Sequence, residues 1–176
     1  GCRNHDGTFS AEKFAERSRI DQVKMIEIKL SQGAKPGKGG VLPKEKITPE
    51  IAETRDVPMD ADCVSPASHS AFTTPREMVQ FWQQLRELSG GKPVGFKLCV
   101  GQPWQFMAIV KAMIEADNYP DFIVVDGAEG GTGAAPVEFM DNVGMPLLDG
   151  FLLVHNTLVG AGVRDKIKIG VSGKII

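Results

Sequence analysis

Two glycine-rich stretches carry most of the groups that could do chemistry in this sequence. One runs Lys29-Leu30-Ser31-Gln32-Gly33-Ala34-Lys35-Pro36-Gly37-Lys38-Gly39-Gly40, the other Asp126-Gly127-Ala128-Glu129-Gly130-Gly131-Thr132-Gly133-Ala134-Ala135-Pro136. Successive glycines let backbone N–H groups converge on an anion or ligand. The Gly131-Thr132-Gly133 core is not a dinucleotide fingerprint, because Pro136 stands where a third glycine is needed, and it lacks the Gly-Lys-Ser/Thr end of a P-loop. Lys97 lies in an otherwise apolar segment, on the face it would share with Gly95 and Cys99. Its ammonium could stabilise a carboxylate or the negative charge of a reduced cofactor, with Gly95 expected to clear room beneath it; snorkelling at a strand end is the structural alternative. Glu27 and Lys29 alternate with Ile26, Ile28 and Leu30, so they face away from the core. There they form either a Glu–Lys network or a site for a ligand.

His69, in Ser65-Pro66-Ala67-Ser68-His69-Ser70, could donate a proton, although a hydrogen-bonded structural histidine is the commoner case. His5 and His155 carry no constellation. Cys2, Cys63 and Cys99 are odd in number and far apart, so neither a disulfide framework nor a local metal site is expected. Cys2 is a poor amidotransferase nucleophile, since Gly1 denies it its own free amine.

Each glycine stretch follows a segment that reads as a buried strand, Val23–Leu30 and Phe122–Asp126, and two more strands are expected at Val94–Cys99 and Ile167–Val171. Between them lie helical patterns. Thr74-Pro75-Arg76-Glu77 reads as a capping box that opens a helix stopped by Gly90-Gly91; further helices are expected over 104–116 and 152–158. Alternating strands and helices predict an α/β fold with a parallel sheet. Ligand-binding loops after several different strands favour a (β/α)8 TIM barrel over an open doubly wound sheet, which gathers its ligand at one switch point. A barrel needs about 250 residues, so about half of its strands would be present. Residues 1–176 are expected to be a fragment of a barrel domain that associates with itself or with the missing half barrel.

The chain has 176 residues, 20 Lys+Arg against 22 Asp+Glu, a net charge of -2 and 42% hydrophobic residues. That composition predicts one globular core and argues against disorder and against nucleic acid as a partner. No apolar run approaches the roughly 20 residues needed to cross a bilayer and no signal peptide is recognisable, so no membrane partner and a cytoplasmic location are expected.

The order and spacing of Lys29–Gly40, Ser65-Pro66, Val94-Gly95-Phe96-Lys97, Asp126–Ala134 and Gly162-Val163-Arg164-Asp165 resemble, over nearly the whole chain, the central FMN-binding domain of glutamate synthase and its shorter glutamate-synthase-like relatives. The resemblance implies a flavin-containing barrel that reduces 2-iminoglutarate, formed from 2-oxoglutarate and ammonia, to L-glutamate. It implies that Lys29, Gln32 and Arg55 contact 2-oxoglutarate and that Lys97 lies beside the flavin and is catalytic. It further implies that Ser65, Asp126, Gly130, Gly131, Thr132, Gly133, Ser172 and Gly173 shape the cofactor pocket. A dicarboxylate needs cations at both ends, which suits Lys29 and Arg55. The flavin-phosphate loop and the iron–sulfur cluster ligands of that family fall beyond Gly173, and the ammonia source is a separate domain or subunit. The isolated chain is therefore expected to bind FMN weakly or not at all and to be inactive. Two other functions compete: an FMN barrel oxidoreductase acting on 2-hydroxy acids through His69, and a non-catalytic assembly domain.

Overall fold

The computed structural model describes residues 2–4, 6–131 and 135–174. In chain order these form α1 (Ala11–Ser18), β1 (Ile26–Lys29), β2 (Val41–Leu42), α2 (Pro49–Arg55), β3 (Cys63–Val64), α3 (Pro75–Leu88), β4 (Val94–Leu98), α4 (Pro103–Ala116), β5 (Phe122–Asp126), α5 (Leu147–Gly160) and β6 (Lys168–Ser172). The main sheet is parallel, in the order β1-β4-β5-β6. Its order follows the chain with no reversal, so it has no switch point of the doubly wound kind.

Registration puts Ile28 beside Phe96, Phe96 beside Ile123 and Leu98 beside Val125. These side chains share one face and pack into a core with Trp82 of α3, Phe106, Val110 and Met113 of α4, and Val154 and Leu158 of α5. The rings of Trp82 and Phe96 stack at 6.1 Å, a geometry worth about 0.5–1.5 kcal/mol beyond its buried area. The indole N–H of Trp82 donates to Asn118 Oδ1 at 2.9 Å, so its burial strands no donor. The opposite face carries Glu27, Lys29 and Lys97, and among the described residues no helix packs on it. A parallel sheet covered on one face, with strands in chain order, is the arrangement of part of a TIM barrel.

Local sequence explains the element ends. Thr74 accepts from the Glu77 N–H while the Glu77 carboxylate accepts from the N–H groups of Thr73 and Thr74, completing the expected capping box. Those bonds, with the Thr73 hydroxyl, hold the exposed Glu77 carboxyl below its ordinary pKa. At the other end of the helix Arg86 donates to the Tyr119 carbonyl and to Asp121, whose Oδ2 also accepts the Val94 N–H at 2.8 Å. One arginine thus rivets α3 to the starts of β4 and β5.

The largest departures from expectation are two element starts and one inserted unit. β1 begins at Ile26 rather than Val23, because residues 20–23 close a turn through Val23 N–H to Ile20 O at 2.9 Å. α5 begins at Leu147 rather than Leu152, because Pro146 precedes it and Glu129 accepts the Leu147 N–H through both oxygens at 2.9 and 3.0 Å. Between β1 and α3 the chain makes a small antiparallel pair, β2 with β3, and the short helix α2, capped by Thr48 and ended by Asp56 in the left-handed region. No helix of the described residues is long and apolar enough to cross a membrane.

Candidate functional site

Strand pairing fixes the centre of the site. Lys29, last residue of β1, is in register with Lys97 of β4, so two lysines stand side by side on the uncovered face, about 4.8 Å apart along the hydrogen-bonding direction. Like charges placed directly opposite in a sheet repel, and the Lys97 ammonium has no hydrogen bond or ion pair among the described residues. An anion near both would relieve that repulsion. Gly95 does not supply the room expected beneath Lys97: a Cβ there would stand 2.3 Å from the Phe122 carbonyl oxygen and 2.5 Å from its ring. Phe122 of the neighbouring strand occupies that space.

Lys29 donates to Gln32 Oε1 at 3.3 Å, which aims both side chains into a cavity of about 320 Å³. Arg3, Lys29, Lys35, Lys38, Gln32, Ser65 and His69 line it, together with the Gly37–Gly40 backbone, and no carboxylate does. Cation-rich and carboxylate-free, the cavity suits an anion. No Glu27–Lys29 ion pair forms among the described residues; Glu27 instead lines a smaller cavity beside it.

Sequence reasoning gave Lys35 no role, yet its position is the most telling. It is 9% exposed, and its ammonium has no hydrogen bond or ion pair among the described residues. Its Nζ lies 3.6 Å from where a Cβ at Gly40 would be. A buried, unpaired ammonium is costly unless a ligand compensates it. The detectable signal was a lysine set between Gly33-Ala34 and Pro36-Gly37, where a tight loop turns its side chain inward.

Arg55, the last residue of α2, does not line this cavity. It lines another of about 450 Å³, which shares Arg3 and Ser65 with the first as lining residues. The His69 ring stacks on Phe72 at 5.0 Å, and its Nε2 lies 2.9 Å from the Lys29 carbonyl. A carbonyl only accepts, so Nε2 carries the proton and fastens the end of β1.

Asp126 joins the loops. It is 5% exposed; Oδ2 accepts the Gly33 N–H and Oδ1 the Ser172 hydroxyl, each at 2.7 Å. The loop after β1, the end of β5 and the end of β6 therefore meet on one carboxylate. Gly130 and Gly173 pack against the same turn: a Cβ at Gly130 would stand 2.7 Å from Asp126 Oδ1 and 3.1 Å from Gly173 Cα. Gly131 is open, with nothing nearer than 3.8 Å to a Cβ. Thr132 and Gly133 lie outside the described residues. Among those described, no group of three or more His, Cys, Asp or Glu side chains is placed to hold a metal ion.

Cys99 lies behind the loop, 5% exposed. Burial first, and the Asp126 charge second, push its thiol up to about 11 from 9.0. Between those two values the unfolded chain loses the proton more readily than the folded one, so Cys99 contributes stability below pH about 9 that declines as pH rises toward 11. Iodoacetamide at pH 8 is expected to label the partly exposed Cys2 and Cys63 and to reach Cys99 only in denaturant. Mass spectrometry showing Cys99 alkylated in the native protein at a rate like the other two would contradict that burial.

Comparison with known proteins adds an independent observation. A family model described as a conserved region in glutamate synthase matches residues 8–176. The chain is 41% identical over all of its length to the glutamate synthase large subunit-like protein YerD of Bacillus subtilis, of which it covers 33%. It is 41% identical over 85% of its length to the archaeal glutamate synthase [NADPH] of Methanocaldococcus jannaschii, covering 29% of that protein. With the ferredoxin-dependent glutamate synthase of Antithamnion it shares 34% identity over 86% of its length, covering 10% of that protein. The chain thus spans a third or less of each.

Proposed function

The chain belongs to the glutamate synthase family, and from that premise we propose that it forms the substrate-binding part of a barrel that converts 2-oxoglutarate and ammonia, through 2-iminoglutarate, to L-glutamate. The observation that carries this reading is the carboxylate-free cavity lined by Arg3, Lys29, Lys35 and Lys38; Lys97 does not line it but is the register partner of Lys29 on the next strand. In this reading Lys29 and Lys35 hold a carboxylate, and Gln32, already oriented by Lys29, contacts the same substrate. Arg55 holds charge in the second cavity. Ser65 lines both.

The uncovered sheet face is compatible with FMN. Lys97 would offer an unpaired cation to a ring that becomes anionic on reduction, and Gly170 of β6, two strands away, leaves the face open beyond Val124, the only atom a Cβ there would meet being Val124 Cγ2 at 3.5 Å. When bound, the flavin would supply hydride chemistry for reducing the imine to the amine. Lys97 fixes charge beside the ring. Asp126 positions Gly33 and Ser172 around the pocket, with Gly130 and Gly173 packed on the same turn. In this reading His69, held to the Lys29 carbonyl, is a positioning group for Lys29.

The FMN phosphate, the iron–sulfur cluster and the ammonia source belong to other parts of the parent protein or its partners. The relatives named for NADPH and for ferredoxin both match this segment, which fits an electron donor that is chosen elsewhere. β1 pairs only with β4 and β6 only with β5 among the described residues, so these edges would take the remaining barrel strands or another copy.

The test is a titration of the full-length protein with 2-oxoglutarate and FMN, followed by flavin fluorescence and thermal unfolding. Both ligands are expected to raise the midpoint, because they bind the folded state. Lys29→Met is expected to weaken 2-oxoglutarate binding by about tenfold or more, the scale of a charge-assisted contact. Absence of any 2-oxoglutarate response in the wild-type protein would reject the substrate assignment. Stoichiometric flavin absorbance in the purified 176-residue chain would reject the expectation that this part alone holds FMN weakly.

A further inference from the structure

We infer that Arg3 is a specificity residue that selects a dicarboxylate over a monocarboxylate by binding the carboxylate farther from the reacting carbon. This rests on the functional reading above. Arg3 sits on a short hairpin in which it bridges Phe9, the Asn4 N–H donates to Thr8 O at 2.9 Å and the Ser10 N–H donates to Cys2 O at 3.0 Å. Asp6 tightens the turn by accepting from both the N–H and the hydroxyl of Thr8. The Lys13 ammonium then donates to the Arg3 carbonyl at 3.1 Å and pairs with Asp56, next to Arg55, at 2.7 Å. One lysine therefore fixes the backbone of Arg3 and the end of α2 relative to each other.

That placement makes Arg3 common to both cavities, the second of which also carries Asp56. It lines the cavity of Lys29 and Gln32 and also the cavity of Arg55, and Ser65 is the only other residue lining both. Its guanidinium has no hydrogen bond or ion pair among the described residues. Lys29 ends β1, and Gln32 and Lys35 come from the loop after it, whereas Arg3 brings its charge from a different element. A substrate with one carboxylate on the loop presents its second to a residue that both cavities share. The planar guanidinium fork matches that group bidentately, as an ammonium does not.

The experiment compares wild type, Arg3→Gln and Arg3→Lys in the full-length protein, measuring dissociation constants for 2-oxoglutarate and for 2-oxopentanoate, which has the same chain length without the second carboxylate. Arg3→Gln is expected to weaken 2-oxoglutarate about tenfold and to leave 2-oxopentanoate unchanged, with Arg3→Lys recovering part of the loss. The ligand-free thermal midpoint should stay at the wild-type value, since the guanidinium holds no other described residue in place. Equal weakening of both ligands, or of neither, would overturn the inference while leaving the functional reading standing. A wild-type protein that does not bind 2-oxoglutarate would overturn that reading and this inference with it.

Discussion

Gly33→Ala is expected to destabilise the protein by about 3–5 kcal/mol, the sum of a backbone overlap and a lost charge-assisted hydrogen bond. A Cβ at this position would stand 1.7 Å from the Gly127 carbonyl oxygen and 2.7 Å from its carbon. The obstacle is backbone and cannot swing aside, so the loops after β1 and β5 must part. Parting them pulls the Gly33 N–H off Asp126. Gly160→Ala is the control, because a Cβ there meets nothing within 4 Å and alanine suits a helix end better than glycine. Urea unfolding should separate the two variants widely; a Gly33→Ala midpoint equal to that of wild type would remove the close approach of the loops from the account.

Removing the acceptor should cost nearly as much. Asp126→Ala leaves the buried Gly33 N–H and the Ser172 hydroxyl without their partner, an expected loss of about 3 kcal/mol. Asp126→Asn should lose roughly half of that, because an amide retains one acceptor. The double variant Gly33→Ala/Asp126→Ala should be far less destabilised than the sum of its parts, since both changes break one contact. Full additivity in the same urea series would show that the carboxylate and the loop act independently. If 2-oxoglutarate affinity falls alongside stability, the carboxylate also holds Lys29, Gln32 and Lys35 in place.

Much of the frame was legible because its signals are local. The Thr74–Glu77 capping box, the Gly90-Gly91 stop and the apolar run 122–126 each act within a few residues, and each appears where expected. Alternation in β1 placed Glu27 and Lys29 on the face away from the core, as observed. What escaped was set by partners distant in sequence. α5 begins five residues early because Glu129, 18 positions before Leu147, accepts its first N–H. Gly95 is small on account of Phe122, on the next strand. Arg3 gave no signal at all, since nothing near it in the chain announces that its hairpin closes over two cavities. Lys35 stood in plain view inside the motif, but only burial separates a lysine that needs a ligand from one that faces solvent.

The ends of the segment from Ala128 to Leu147 are bound to each other and to the frame: the Ala128 N–H donates to Met145 O at 2.9 Å, the Met145 N–H donates to Val100 O at 2.8 Å, and Glu129 holds Leu147. Such a neck fixes β5 and α5 relative to each other independently of what lies between, and once the ends are tied the cost of a longer connection grows only logarithmically. Part of the span still touches the frame, with Lys38 over the Phe139 ring at 5.6 Å and Gly144 against Cys99, so a change of length that spares Phe139 and Gly144 would leave the scaffold in place.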